Sequence, residues 1–203
     1  MASVPLPEVA TVRYVIDAKG STFIIQASST GLLSAFGHDP RMAIRDFQGD
    51  VEFSPGVATL DEARLQLRIR ADSLEVVNDI KDKDRAEIQR RASEEVLESH
   101  RFPDICYDCF RVTGSGAGQR YWLSLNGELT LRGVTRPFPI TARLLVNGNS
   151  IRASGEFSVR QHEFEIPPVT AVGGAIRLKD ELKCTFDVIA RKQEKSDGSR
   201  KPR

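Results

Sequence analysis

Cysteine and histidine are the residues here whose types and spacing could carry chemistry. Cys106 and Cys109 have CxxC spacing. On a strand, residues three apart point to opposite faces, so the two thiols diverge and suit neither a disulfide nor a shared metal. Cys184 stands alone, and no second cysteine pair completes a zinc ribbon. Three histidines are present. His38, beside Asp39, and His162, beside Glu163, sit in loop-like stretches and could act together only if the fold joined them. His100 follows a helical segment, where a cation suits the helix dipole. The chain contains no GxSxG, no Gly-rich phosphate loop and no HExxH. The carboxylates of DKDRAE, residues 82–87, fall on a charged helix surface. No catalytic residues, no metal ligands and no cofactor are expected, so the reading is of a protein that is not an enzyme.

The elements that must carry any function are strands. Ala63, Leu65, Leu67 and Ile69 alternate with Arg64, Gln66, Arg68 and Arg70. Period-two alternation means one dry and one wet face. The same pattern runs through 121–132, 151–160 and 176–191, the last read as one strand with Leu182, Cys184 and Phe186 inward. Weaker strands are predicted over 14–28, 42–53, 105–113 and 137–146. Turns are predicted at Ser54-Pro55-Gly56, in the glycine-rich run 114–118, and at Asn147-Gly148-Asn149, whose residues tolerate positive φ. Gly133 reads as a tight turn, and Pro137 as the first residue of the strand after it. Roughly eight strands joined by short turns point to an antiparallel up-and-down barrel or a sandwich. Residues 79–99 break the pattern. Ile88, Ala92 and Val96, with Leu97 beside them, form an apolar stripe on a charged helix that Pro103 would stop, as suits a helix covering one barrel end.

The chain has 203 residues, enough for one sizeable core, and 40% of them are hydrophobic, which excludes wholesale disorder. With 29 basic against 28 acidic residues there is no electrostatic footprint for nucleic acid. No segment approaches the roughly 18 consecutive apolar residues of a membrane span, and the N-terminus has no basic region of a secretory signal. A cytoplasmic location is the expectation. So are a flexible segment over 1–12, one barrel domain over 13–191 and a disordered polar tail over 192–203. A homodimer through an exposed strand or helix is compatible with the sequence.

With no catalytic constellation, the function is expected inside the barrel. Eight strands enclose room for side chains or one small ligand. The inward rows are apolar, so the ligand would be apolar. Phe23, Ile25, Leu65, Leu67, Ile69, Leu123, Leu125 and Phe157 are the candidate ligand contacts. Each also suits a solid core, which leaves a structural or interaction barrel without ligand as the alternative.

Several segments together resemble the YceI-like, polyisoprenoid-binding family. NGELTLRGVTRP, residues 126–137, is similar to its G-x-L-T-I-R-G-V-T signature with a basic residue and Pro following. The stretch 99–105 resembles its Pro-containing entry to a strand. Asp17–Phe23 resembles its N-terminal D-x-x-H-S strand, 47–53 its F-x-G-x-I-x-F strand, and 160–166 its R-x-x-F-G-I element. The order is kept from about residue 13 to 191. The resemblance implies an all-β fold, an antiparallel eight-stranded lipocalin-like barrel with one amphipathic helix covering an end. It implies binding, transport or storage of an isoprenoid or other long-chain amphiphilic lipid. Members are often periplasmic and usually have no assigned enzymatic role. This chain departs at Gly20, where many members have His, at Glu165, where the late motif has Gly, and in showing no export signal.

Overall fold

The computed structural model describes residues 11–30, 39–53, 63–171, 174 and 176–193, with the side chains of 171 and 176 left aside. Its strands are β1 (Val12–Ile16), β2 (Thr22–Gln26), β3 (Ser29–Thr30), β4 (Arg41–Ile44), β5 (Phe47–Phe53), β6 (Arg64–Arg70) and β7 (Leu74–Val76). After the helix come β8 (Asp104–Ala117), β9 (Arg120–Leu131), β10 (Val134–Pro137), β11 (Ile140–Asn147), β12 (Ser150–Arg160), β13 (Thr170–Ala171), β14 (Ile176–Leu178) and β15 (Glu181–Lys192). Eight of these close a ring in the order β1-β5-β6-β8-β9-β11-β12-β15, and β15 returns to β1. Every pairing is antiparallel. This is the expected eight-stranded lipocalin-like barrel.

The first three barrel strands are each kinked at one level. β1 and β2 share the same edge of β15 and are separated by a single 3-10 turn, Ala18–Gly20. Asp17 caps that turn through Gly20 N at 3.2 Å and accepts Arg191 Nε at 3.0 Å. β4 and β5 break at Arg45-Asp46, and β6 and β7 at a second 3-10 turn, Ala71–Ser73. Beyond the kinks, β2, β4 and β7 continue as a flap in which β7 leaves β8 and pairs only with β4. The freed edge of β7 is met by the helix, where Gln89 Oε1 accepts Val76 N at 3.3 Å. An uncovered strand edge would invite pairing with another chain. Thus 14–28 and 42–53, read as single strands, are interrupted ones.

Helix α1 (Asp82–Arg91) carries Asp82 and Asp84 in its first turn and Arg90 and Arg91 in its last, which complements the helix dipole. It runs into one π-helical turn, Ala92–Val96. Glu98, with φ 47°, ends it in the left-handed conformation typical just past a helix terminus, four residues before Phe102 and ahead of Pro103. Its solvent face is laced by Arg90 with Glu87, Glu94 and Glu95.

Three further expectations are corrected. The glycine run 114–118 is mostly strand: β8 extends to Ala117 and only Gly118-Gln119 turns. At Gly114 and Gly116 a Cβ would lie 2.2–2.3 Å from backbone oxygens of β9, so these glycines allow close pairing and do not break it. The run 176–191 is two strands. Asp180 stands between them, its backbone oxygen accepting Gln161 N at 3.0 Å and its carboxylate accepting His162 N at 2.8 Å. Pro137 ends β10 opposite Glu128 and does not begin a strand; β11 then takes over the same edge of β9. The turns at 132–133 and 147–149 form as expected, with positive φ at Arg132, Gly133 and Gly148. Ser54-Pro55-Gly56, His38 and most of the two predicted terminal segments lie outside the described residues.

Glu165 sits at φ 57°, ψ 26°, closing the 3-10 turn Gln161–Phe164. Its side chain is exposed, so the residue adds strain without a packing return. Glu165→Gly is expected to stabilise the protein by about 0.5–1 kcal/mol, after allowing for the greater unfolded-state freedom of glycine. A urea unfolding midpoint that falls instead of rising would contradict this.

Candidate ligand-binding cavity

The inward rows of the barrel do not meet. They enclose a cavity of about 420 Å³. All eight residues chosen from strand periodicity line it: Phe23 and Ile25 on β2, Leu65, Leu67 and Ile69 on β6, Leu123 and Leu125 on β9, and Phe157 on β12. Phe23 and Ile69 also pack with Ile44 and Phe47 in a separate cluster near the kinks, so these two have structural work besides.

The wall has features that alternation did not reveal. Ile88, Ala92 and Val96 of the helix stripe face the cavity, so the helix forms part of its lining as well as its cover. A file of phenylalanine rings follows neighbouring strands, and three of them, Phe157, Phe186 and Phe23, line the cavity. Phe164 lies 6.4 Å from Phe138, Phe138 5.6 Å from Phe157, and Phe157 6.2 Å from Phe186. Phe186 is 6.1 Å from Phe23, and Phe23 meets Phe47 edge-on at 5.0 Å. At the end away from the helix, Tyr14 and Phe53 stack at 5.2 Å. Tyr107 is buried against the cavity, but its hydroxyl already donates to Leu125 O and Phe138 O at 3.0 and 3.1 Å. Burial raises its pKa, as expected for a phenol held as a neutral donor.

Cys109 and Cys184 are buried, Cys106 is half-buried, and all three are free. Cys109 follows Tyr107 on the inward row of β8 and Cys106 lies between inward residues, so the CxxC thiols diverge as expected. Cys109 Sγ sits at a bulge, 3.4 Å from Arg111 O and 3.5 Å from Asn126 O. Burial pushes all three thiols up, Cys184 to about 12. Burial thus keeps Cys184 as a protonated, poorly nucleophilic thiol at pH 8. Alkylation of the native protein is expected to leave Cys109 and Cys184 unmodified, whereas denaturant without reductant should expose three reactive thiols. Intact mass measures both; a disulfide surviving in denaturant would overturn the expectation.

His162 lies outside the cavity, exposed on the 3-10 turn after β12. Its Nδ1 is 2.5 Å from Asp180 Oδ2. Desolvation pushes the Asp180 pKa up, but the bonds from His162 outweigh it and hold the carboxylate below its ordinary range. That arrangement latches the turn. Asp39 accepts Ser29 N and Oγ at 2.7 and 2.8 Å, another local tie. Among the described residues no cluster of three or more His, Cys, Asp or Glu could hold a metal. Nor is any helix among them long and apolar enough to cross a membrane.

The sequence profile of the YceI-like domain matches residues 14–190. The chain belongs to the YceI-like family. A UPF0312 protein of Shewanella denitrificans is 29% identical over 148 residues, covering 72% of this chain and 70% of that one. BcnA of Burkholderia cenocepacia has the same fold, with a TM-score of 0.63 at 17% identity over 86% of this chain and 98% of BcnA. So has a polyisoprenoid binding domain from Saccharophagus degradans implicated in plant cell wall breakdown, with a TM-score of 0.62 at 12% identity over 89% and 98% of the two chains. In this YceI-like chain Arg132 and Gly133, with φ 51° and 74°, form the turn that connects β9 to β10. A Cβ on Gly133 would come within 2.6 Å of the Phe102 ring. Glu165 is also left-handed, with φ 57°, a conformation that glycine adopts without strain.

Proposed function

We propose that this protein is a non-enzymatic carrier or store for one isoprenoid or other long-chain amphiphilic lipid, held in the barrel. The observation that carries this reading is the cavity itself, about 420 Å³ with nearly all of its lining apolar. A dry cavity of roughly 150 Å³ accepts benzene, so in proportion this one accommodates roughly 15–20 carbons, three or four isoprene units. At about 0.8 kcal/mol per buried methylene, fifteen carbons gain on the order of 12 kcal/mol, enough to exceed typical association costs. The Saccharophagus domain, described as polyisoprenoid binding, supports the same ligand class. The eight residues from Phe23 to Phe157 are the proposed contacts. Three separated free thiols support a reducing compartment, the cytoplasm, as the place of action.

The test is a chain-length series. Delipidated protein is titrated with prenols of 10, 15 and 20 carbons and read by native mass spectrometry. Affinity is expected to rise steeply, by as much as about fourfold per added carbon, and then flatten between 15 and 20 carbons. Absence of saturable binding at every length would reject the carrier and favour the barrel as a ligand-free interaction module.

A further inference from the structure

One polar side chain interrupts the apolar wall in an unusual state. Gln161 is 5% exposed, and among the described residues it is the one amide or charged side chain so deeply buried. It lines the cavity where β12 passes into its 3-10 turn. Its backbone is fully used, N donating to Asp180 O at 3.0 Å and O accepting Ile166 N at 3.1 Å. Its Nε2 donates to Lys179 O at 3.0 Å and to Asp180 O at 3.3 Å. Both partners are carbonyl oxygens, which can only accept, so the amide orientation is fixed: nitrogen to the wall. The other branch of the amide, Oε1, has no hydrogen-bond donor among the described residues. It is not sealed in the packing either, since among the described residues Arg132 Nε is the one fully occluded side-chain polar atom lacking a partner. On the lining of an apolar cavity this amide is thus held by its nitrogen, and its oxygen keeps no donor among the described residues.

We propose that Gln161 Oε1 is the polar anchor of the ligand and selects a chain bearing an uncharged hydroxyl. The inference rests on the carrier reading and specifies its ligand. An unpaired acceptor in an apolar site is disfavoured until a donor arrives, so a ligand donor is worth more here than in water. Arg91 lies at the same end. Its Nη2 donates to Thr170 O at 2.9 Å, and Thr170 and Leu178 line the cavity beside Lys179. The charge of Arg91 is already balanced by Glu95, with Nε to Oε2 at 3.0 Å. A carboxylate or phosphate would offer no donor to Oε1 and would compete with Glu95 for Arg91. A hydroxyl donates to Oε1, and its tail extends along the phenylalanine file. The head of the ligand is therefore placed at the helix-covered end.

The experiment uses the full-length, delipidated protein with bound N-phenyl-1-naphthylamine. The probe is displaced by farnesol, farnesyl methyl ether or farnesoate, which share one fifteen-carbon chain. Farnesol is expected to compete roughly three- to tenfold better than the ether, and better than the acid. In Gln161→Met that ratio is expected to fall to about one. Equal displacement by alcohol and ether in the wild type overturns the anchor and leaves the carrier intact. Farnesoate competing best also overturns it and assigns the head to Arg91. A ratio that persists in the variant does the same for Gln161. Displacement by none of the three overturns the anchor and the carrier reading together. The wild-type ranking is decisive even if the variant does not fold.

Discussion

Phe164→Ala is expected to destabilise the protein by about 3–5 kcal/mol, the range for emptying a fully buried aromatic site. Phe164 has no exposed surface. It stands in the short 3-10 turn Gln161–Phe164, whose backbone is pinned on both sides: Glu165 N bonds His162 O at 3.1 Å and Ile166 N bonds Gln161 O at 3.1 Å. A turn held in this way cannot collapse into the space the ring vacates, so the cavity persists. The ring is also the first of the aromatic file, 6.4 Å from Phe138. Its loss should loosen Phe138 and, through it, Phe157 on the cavity wall. Equilibrium unfolding in urea measures the effect. A change below about 1 kcal/mol would mean that the turn relaxes and that Phe164 does not anchor it. Phe164→Leu, which keeps most of the volume, should recover much of the loss.

The second large effect concerns the ion pair at the end of the helix. Glu98 lies just past the π-helical turn and pairs with Arg132 of the β9–β10 turn. Their side chains are 17% and 18% exposed. Arg132 Nη1 also donates to Glu165 O at 2.6 Å. Three segments thus converge on one guanidinium: the helix end, the signature hairpin and the late 3-10 turn. Glu98→Ala leaves that cation largely buried, with Glu165 O as the remaining partner. Loss of one member of a buried pair costs about 3–5 kcal/mol, and partial exposure reduces the expectation to about 2–4 kcal/mol. Arg132→Ala should cost less, because Glu98 retains Arg101 at 2.6 Å. A double-mutant cycle should give a coupling of about 1–3 kcal/mol. Additive single effects would show that the two residues act independently. Hydrogen exchange in 82–97 is expected to accelerate in both variants, because the pair ties the helix down over the cavity.

Both predictions concern segments whose sequence was informative in type and not in purpose. The signature 126–137 is legible as a hairpin, since Gly133 permits positive φ and Pro137 fixes its own. That Arg132 reaches the helix end depends on contacts across more than thirty residues, and nothing in local spacing encodes them. The glycine run 114–118 reads as a turn in sequence because glycine permits turns. In the barrel, Gly114 and Gly116 instead sit where β9 comes closest. A missing side chain serves either purpose, and only the neighbouring strand decides between them.

The sequence by itself determined which side chains face inward. Period two leaves one choice per strand, and the apolar member of each pair must be dry. For that reason alternation alone puts Leu65, Leu67, Ile69, Leu123, Leu125 and Phe157 on the inward face, where they line the cavity. The helix stripe at Ile88, Ala92 and Val96 was determined in the same way. Tertiary structure decided whether those rows fill the barrel or leave space. Alternation reports polarity, whereas a cavity depends on the circumference of the ring against the summed volume of its side chains. It also decided the kinks that turn β2, β4 and β7 into a flap needing the helix as its cover. Finally, it decided the state of Gln161. In the polar run Arg160-Gln161-His162 nothing distinguishes it; it becomes buried only because β12 ends there and the turn before β15 offers two carbonyls to its amide nitrogen.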